Sequence, residues 1–189
     1  KKSCKIQYSR VLLLLDLKSS MLQSLISSKT RIRLLVKFFI NAANDGYLRG
    51  LAVELDENTN AIRKELNNLS AAGYIIRQDV DNKVVYQADT THPLFATLQQ
   101  LVRKYVGIDR IIIQVLDRMG QVTRIFLVGD YAKGIDSGKI QIVIEGPELH
   151  TDYLDQLADR LHKEIGKEID IAATPLFMGQ GLLIFENIG

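Results

Sequence analysis

Residues 129–134 read Gly-Asp-Tyr-Ala-Lys-Gly and lie between two apolar segments that are typical of strands. Glycines at both ends of such a turn allow backbone N–H groups to approach a phosphate closely. Phosphate chemistry would also need acidic side chains nearby to hold metal ions. Lys139 and Gln141 begin the following strand in place of such acids, whereas Asp170 lies in a later strand. The pattern predicts a phosphate-binding turn that lacks most of its acids.

This order of strand, glycine turn, loop and strand resembles the minimal nucleotidyltransferases of the DNA polymerase β superfamily, over roughly residues 108–175. Members of that family carry Gly-Ser-Tyr-Ala-Arg-Gly at the turn, an Asp-x-Asp pair entering the next strand, and a further Asp on a later strand. In that family the acids hold the Mg²⁺ ions that align the nucleophile and the leaving group.

The match to that family is partial. Lys133 stands in place of the Arg, and Asp130 stands in place of the Ser. Lys139 and Gln141 occupy the Asp-x-Asp positions, and Asp170 occupies the position of the last acid. Only one of the family's acids is therefore retained. The turn residues that match the family are Gly129, Tyr131, Ala132 and Gly134.

Electrostatics decides what these replacements mean. A protonated Lys139 cannot bind a metal ion, and two unit charges ~4 Å apart interact by about 4 kcal/mol at an effective dielectric constant near 20. That repulsion alone lowers metal affinity by on the order of three decades. Asp130 would in addition repel a phosphate. We therefore predict no catalytic residue, no metal and no other cofactor in a degenerate nucleotide pocket, which comprises Gly129, Asp130, Lys133, Gly134, Lys139, Gln141 and Asp170.

Two further expectations concern the charges around this pocket. Lys139 is expected to form a salt bridge with Asp170 or with Asp130 in place of a metal ion. Asp136 lies in the sequence Gly-Ile-Asp-Ser-Gly and is expected to be a solvated loop residue.

The elements around the pocket alternate between strands and helices, which indicates an α/β domain with a mixed sheet. The apolar periodicity predicts helices over 108–118 and 153–165. It predicts strands over 123–128, 139–144 and 168–173. Residues 182–185 form either one more strand or a short terminal packing segment.

The front half has a different pattern of helices followed by a hairpin. Helices are predicted over 30–43, around 51–55 and over 60–72, the last with Thr59 as its N-cap and Gly73 as its stop. Strands follow at 74–76 and 84–86 around a turn at 81–83. Three helices and a hairpin in this order predict a winged helix-turn-helix.

The polar face of the third helix predicts the contacts of this domain. This third helix is the second helix of the predicted helix-turn-helix pair, the one that lies in the DNA major groove. There an Asn side chain matches the edge of adenine, and an Arg side chain matches guanine or a phosphate. The hairpin offers cations to the phosphate backbone. The alternative is that these are ordinary solvated residues of a small helical domain. The predicted DNA-binding residues are Thr59, Asn60, Arg63, Lys64, Asn67, Arg77 and Lys83.

Residues 26–90 also resemble winged-helix regulators of the arsenic-repressor-like class, on the segment that runs from Asn-Thr-Asn-Ala-Ile-Arg to Ala-Gly-Tyr-Ile. The resemblance implies a transcription factor that is usually dimeric. It does not imply metal sensing, because the cysteine ligands of the sensing members are absent: Cys4 is the only cysteine of the chain.

Composition supports two modules. Among the 189 residues, positions 1–90 hold 14 Lys and Arg against 9 Asp and Glu, and positions 91–189 hold 10 against 13, so the net charges are +5 and −3. Pro93 and the apolar residues after it predict a connecting helix that ends at Gly107. We thus expect a DNA-binding domain with an N-terminal extension over 1–90, a connecting helix over 91–107 and a nucleotidyltransferase-like domain over 108–189. Residues 11–26 are expected to form a further packing helix.

The sequence therefore predicts an α+β protein of two domains that regulates transcription. Its partners would be double-stranded DNA, a second copy of the chain and an unknown small-molecule or protein effector. No apolar run is long enough to span a bilayer, so we expect no membrane partner and a cytoplasmic location. Two alternatives remain open, namely an active nucleotidyltransferase with a docking domain and an antitoxin-like protein-interaction module.

Overall fold

The structure is a computed structural model that describes residues 26–187. The predicted helix over 11–26 lies outside the described residues, apart from Ile26. Within the described range the chain is an α+β protein with seven α-helices and a mixed sheet. The predicted α+β class is confirmed, whereas the division into two domains stays a prediction.

The front half contains three helices and a three-stranded antiparallel sheet. The helices are α1 (Lys29–Phe39), α2 (Leu48–Glu54) and α3 (Thr59–Ala71), and the strands are β1 (Asp45–Tyr47), β2 (Ile75–Val80) and β3 (Lys83–Ala88). The strand order is β1-β3-β2. The predicted order of three helices and a hairpin is confirmed.

The hairpin forms because its turn chemistry matches the twist of its strands. Val80 and Lys83 are the last paired residues, which leaves Asp81 and Asn82 as a two-residue turn. Both turn residues have positive φ, 48° and 62°, as a type I′ turn requires. Asn and Asp tolerate this conformation better than other non-glycine residues. The strands extend further than the predicted 74–76 and 84–86.

Three details of the front half differ from the sequence prediction. The first helix ends at Phe39 instead of continuing to 43. Residues 45–47, where no strand was predicted, form β1 because they pair with β3. The N-cap of α3 is Asn58, whose side chain accepts the Asn60 backbone N–H at 2.8 Å, so the predicted N-cap Thr59 is the first residue of the helix.

Two helices connect the front half to the back. Helix α4 spans Phe95–Val106, so Pro93 precedes it rather than lying in its first turn. Gly107 ends α4 with φ of 95°, as predicted, and α5 spans Ile108–Arg118. The Phe39 and Phe95 rings, 5.8 Å apart, pack α4 against α1.

The back half is built around a four-stranded sheet, in which the strands lie in the order β8 (Glu168–Thr174), β6 (Lys139–Glu145), β5 (Arg124–Val128) and β9 (Leu182–Glu186). Strands β6 and β8 are parallel and the other two pairings are antiparallel, so the predicted mixed sheet is confirmed. Residues 182–185 belong to a strand, the first of the two predicted alternatives. The other elements of the back half are β4 (Gly120–Gln121), α6 (Gly129–Ala132), β7 (Glu148–Leu149), a 3₁₀ turn (Thr151–Tyr153) and α7 (Leu154–Ile165).

The hydrophobic core is continuous from the front half to the back half. Strand side chains alternate between the two faces of the sheet. Ile140, Ile142 and Ile169 are therefore buried, while Gln141 and Asp170 lie on the opposite face, and Asp170 is exposed. This alternation places the polar residues of β6 and β8 beside the Gly129 turn.

Candidate functional site

Helix α3 has one buried face and one exposed polar face. Ile62, Leu66 and Leu69 are buried in the core. The exposed face carries Asn60, Arg63, Lys64 and Asn67. Thr59, the remaining predicted residue of this helix, is partly buried at its first turn. The structure thus presents four of the five predicted α3 residues to solvent on one helix.

Arg63 and Asn60 contact each other on this face. The Arg63 guanidinium donates to the Asn60 side-chain oxygen at 3.1 Å. An amide and a guanidinium held together offer donors and an acceptor that match purine edges in the major groove. No residue in the described part of the chain covers this exposed pair.

The hairpin places its two predicted cations differently. Arg77 is exposed in β2. The Lys83 ammonium lies 4.8 Å from the centre of the Tyr47 ring, so it is held beside the start of α2. Asp79 and Asp81 balance these two cations, and the hairpin has no net charge. The hairpin therefore attracts phosphate less strongly than α3 does.

Tyr47 and Arg49 are also exposed in this region, and neither is among the predicted DNA-binding residues. Arg49 is the only Lys or Arg among residues 41–58, which is a signal that could have drawn attention to it. Tyr47 could not have been selected locally, because its contact with Lys83 depends on how β1 pairs with β3.

The predicted turn over 129–134 begins with one short helical turn, α6. Gly129 has φ of 66°, a conformation that favours glycine. A Cβ at this position would overlap the Gln141 side-chain oxygen. The Gln141 amide therefore fills the space where a phosphate would approach the Gly129 backbone.

The other end of the turn packs against α1. A Cβ at Gly134 would lie 2.5 Å from the Cα and the carbonyl oxygen of Lys37. The Lys37 ammonium donates to the Lys133 carbonyl at 3.1 Å and forms an ion pair with Glu54 at 2.5 Å. Asn44 donates to the Lys37 carbonyl at 3.0 Å. The predicted nucleotide-pocket residues Lys133 and Gly134 thus join the back half to α1 and α2.

The first residues of β6 and β8, beside the Gly129 turn, carry paired polar side chains. In the parallel register of β6 and β8, Lys139 lies opposite Glu168 and Gln141 lies opposite Asp170. The Lys139 ammonium is 2.9 Å from the Glu168 carboxylate and 3.9 Å from that of Asp170. The Gln141 amide donates to Asp170 at 3.2 Å.

These distances bear on the expected salt bridge and on metal binding. The expected pairing of Lys139 with Asp170 is present, but Glu168 is the closer partner, and no such ion pair with Asp130 is found in the described structure. The hydrogen bond and charge of Glu168 raise the pKa of Lys139, so the ammonium stays charged. Such a cation beside Asp170 does not fit a Mg²⁺ site. The described residues contain no group of three or more His, Cys, Asp and Glu that could hold a metal ion.

Asp136 is not the solvated loop residue that the sequence predicted. Its side chain is only 13% exposed and forms an ion pair with Lys167 at 2.9 Å. It accepts hydrogen bonds from the Tyr131 hydroxyl and, at 3.1 Å, from the Tyr105 hydroxyl. Burial raises the pKa of Asp136, but the Lys167 charge and the Tyr131 hydrogen bond outweigh burial and lower it. Burial and the adjacent carboxylate raise the pKa of Tyr131.

Comparison with protein-family models, with curated proteins and with solved structures gives no match. Within residues 26–187, no helix combines the length and apolar character needed to cross a bilayer.

Proposed function

We propose that this protein is a transcriptional regulator that binds double-stranded DNA through α3, with α1, α2 and the hairpin completing a winged helix-turn-helix. The observation that carries the proposal is the polar face of α3, where Asn60, Arg63, Lys64 and Asn67 are all exposed. The opposite face of the same helix is buried, so α3 presents its polar residues on a rigid support.

The back half is proposed to be a nucleotidyltransferase-like domain without catalytic activity, which serves sensing or oligomerisation. Gln141 fills the Gly129 turn, and Lys139 lies beside the one retained acid. Both features oppose metal-dependent nucleotidyl transfer. The contact of the Lys37 ammonium with the Lys133 carbonyl gives the back half a direct connection to the proposed DNA-binding helices.

The test is selection of duplexes from a random pool by the purified full chain. We expect enrichment of a palindromic site, because a two-fold symmetric dimer reads two half-sites. Arg63→Ala should abolish the enrichment, whereas Asp170→Ala should leave it unchanged. No enrichment by the wild-type chain would contradict DNA binding. Enrichment of a single half-site would contradict the dimer but not the DNA contact.

A further inference from the structure

A cleft lies where the front and back halves meet. It has a volume of about 320 Å³, and its walls come from α1, α4 and the loop before β6. Pockets that bind small molecules typically enclose roughly 300–1,000 Å³. Its lining residues are Lys29, Ile32, Arg33, Tyr105, Asp136 and the Ser137–Gly138 pair.

The α1 wall of this cleft is basic. Lys29 and Arg33 are four residues apart and therefore lie on the same face of the helix. Lys29 is exposed and has no ion pair within the described structure, whereas Arg33 is paired with Glu57 at 2.8 Å. On the opposite wall, the Ser137 hydroxyl is a third possible donor. The Asp136 carboxylate also lines the cleft, but Lys167 neutralises it at 2.9 Å.

A second compartment of about 190 Å³ adjoins the first and shares Arg33, Asp136 and Ser137 with it. Beyond the shared residues it is lined by Leu55, Ile135 and two acids, Glu54 and Asp56, of which Glu54 is paired with the Lys37 ammonium at 2.5 Å. Carboxylates accept hydrogen bonds from hydroxyl groups. The cleft thus has a basic end suited to a phosphate and an acidic end suited to a polyhydroxylated group.

We propose that this cleft binds a sugar phosphate, with the phosphate held by Lys29, Arg33 and Ser137 and the sugar hydroxyls held by Glu54 and Asp56. A phosphate with three terminal oxygens matches the three donors. This site is distinct from the Gly129 turn, where the Gln141 side chain occupies the space for a phosphate.

Arg33 connects the cleft to α3. Its guanidinium donates to the Leu55 carbonyl at 3.0 Å and to Glu57 at 2.8 Å, in the turn that leads to the Asn58 cap of α3. Both hydrogen bonds come from Nη1, which leaves the Nε and Nη2 donors for a phosphate, whose negative charge then lies beside the Glu57 carboxylate. We therefore expect the bound sugar phosphate to change the affinity of the chain for DNA. This expectation rests on the proposed function, whereas the binding of the sugar phosphate does not rest on it.

Ribose 5-phosphate, inorganic phosphate and ribose are suitable probes, titrated into the isotope-labelled full chain and followed by NMR. We expect ribose 5-phosphate to bind most tightly and to shift signals of residues 29–33, 54–56 and 136–138. Inorganic phosphate should shift only the signals of the basic end. Ribose that binds as tightly as ribose 5-phosphate would overturn the phosphate assignment, and the absence of saturable binding would overturn the site.

The matched variants are Lys29→Met and Lys163→Met. Lys163 is exposed on α7, outside the cleft, so its removal changes the net charge equally. Loss of one charge-assisted hydrogen bond should weaken ribose 5-phosphate binding about tenfold or more in Lys29→Met. Lys163→Met should bind as the wild type does, and equal weakening in both variants would contradict the proposal. A chain that binds ribose 5-phosphate but selects no DNA would contradict only the proposed function.

Discussion

Gln141 donates its side-chain amide to the Asp170 carboxylate across the parallel strands β6 and β8, at 3.2 Å. Its side-chain oxygen lies against Gly129 at the same time. One side chain therefore lies against the glycine turn and binds the carboxylate at position 170. Lys139, 3.9 Å from Asp170, adds a positive charge there.

This arrangement predicts that Mg²⁺ does not stabilise the wild-type chain. Replacing both residues by acids, in Lys139→Asp with Gln141→Asp, should create Mg²⁺-dependent stability. At a Mg²⁺ concentration of about 100 times the dissociation constant, the gain in unfolding free energy would be roughly 2.7 kcal/mol. Thermal unfolding with and without Mg²⁺ measures it.

The control is the neutral pair Lys139→Asn with Gln141→Asn, which removes the cation without adding acids. It should show no rise of the melting temperature with Mg²⁺. A rise in the wild type as large as that in the acidic variant would contradict the assignment of a degenerate pocket.

The buried ion pair of Asp136 and Lys167 predicts a specific loss of stability in acid. The folded-state pKa of Asp136 is lowered, so the unfolded chain binds more protons as the pH falls below about 4. The stability that this carboxylate contributes is therefore present above that pH and is lost as the pH falls through the lower folded-state value. Asp136→Asn should remove this part of the acid dependence in urea unfolding.

Asp170→Asn is the comparison variant, because the Asp170 side chain is 53% exposed whereas that of Asp136 is 13% exposed. Asp170→Asn should lose as much unfolding free energy in acid as the wild type does. If Asp136→Asn also loses as much unfolding free energy in acid as the wild type does, the Asp136 carboxylate is not the source of that loss.

The contact between the glycine turn and α1 predicts unequal effects of two alanine substitutions. Gly134 and Gly138 have similar positive φ, 77° and 83°, but only Gly134 lies against the Lys37 backbone. Gly138→Ala should cost about 1–2 kcal/mol of unfolding free energy for its left-handed backbone alone. Gly134→Ala should cost clearly more, because the Lys37 backbone must also move. Equal losses in chemical unfolding would show that this contact does not restrict position 134.

Sequence periodicity predicted those elements whose apolar residues repeat locally. Helix α5 spans the predicted 108–118, and Asp81-Asn82 form the turn of the predicted hairpin. Strand β1 was missed because Asp45 and Gly46 have turn chemistry, and only the pairing of residues 45–47 with β3 makes them a strand.

For the candidate site residues, too, local features could be predicted from the sequence and long-range contacts could not. Exposure of Asn60 and Arg63 follows from helical periodicity, which a sequence displays directly. Burial of Asp136 does not, because two of its partners, Tyr105 and Lys167, are each 31 residues away. The closer pairing of Lys139 with Glu168 depends on the register of β6 and β8, which the sequence alone does not give.

The most direct test of DNA binding through α3 is the affinity of the full chain for its selected duplex at several salt concentrations. Arg63→Ala is compared with Lys163→Ala, an exposed cation of α7 that gives the same change in charge. We expect affinity to fall steeply with salt in the wild type, since bound phosphates release counterions. Arg63→Ala should weaken binding about tenfold to a hundredfold, and Lys163→Ala should match the wild type. Equal affinities of Arg63→Ala and the wild type would contradict the proposed role of α3.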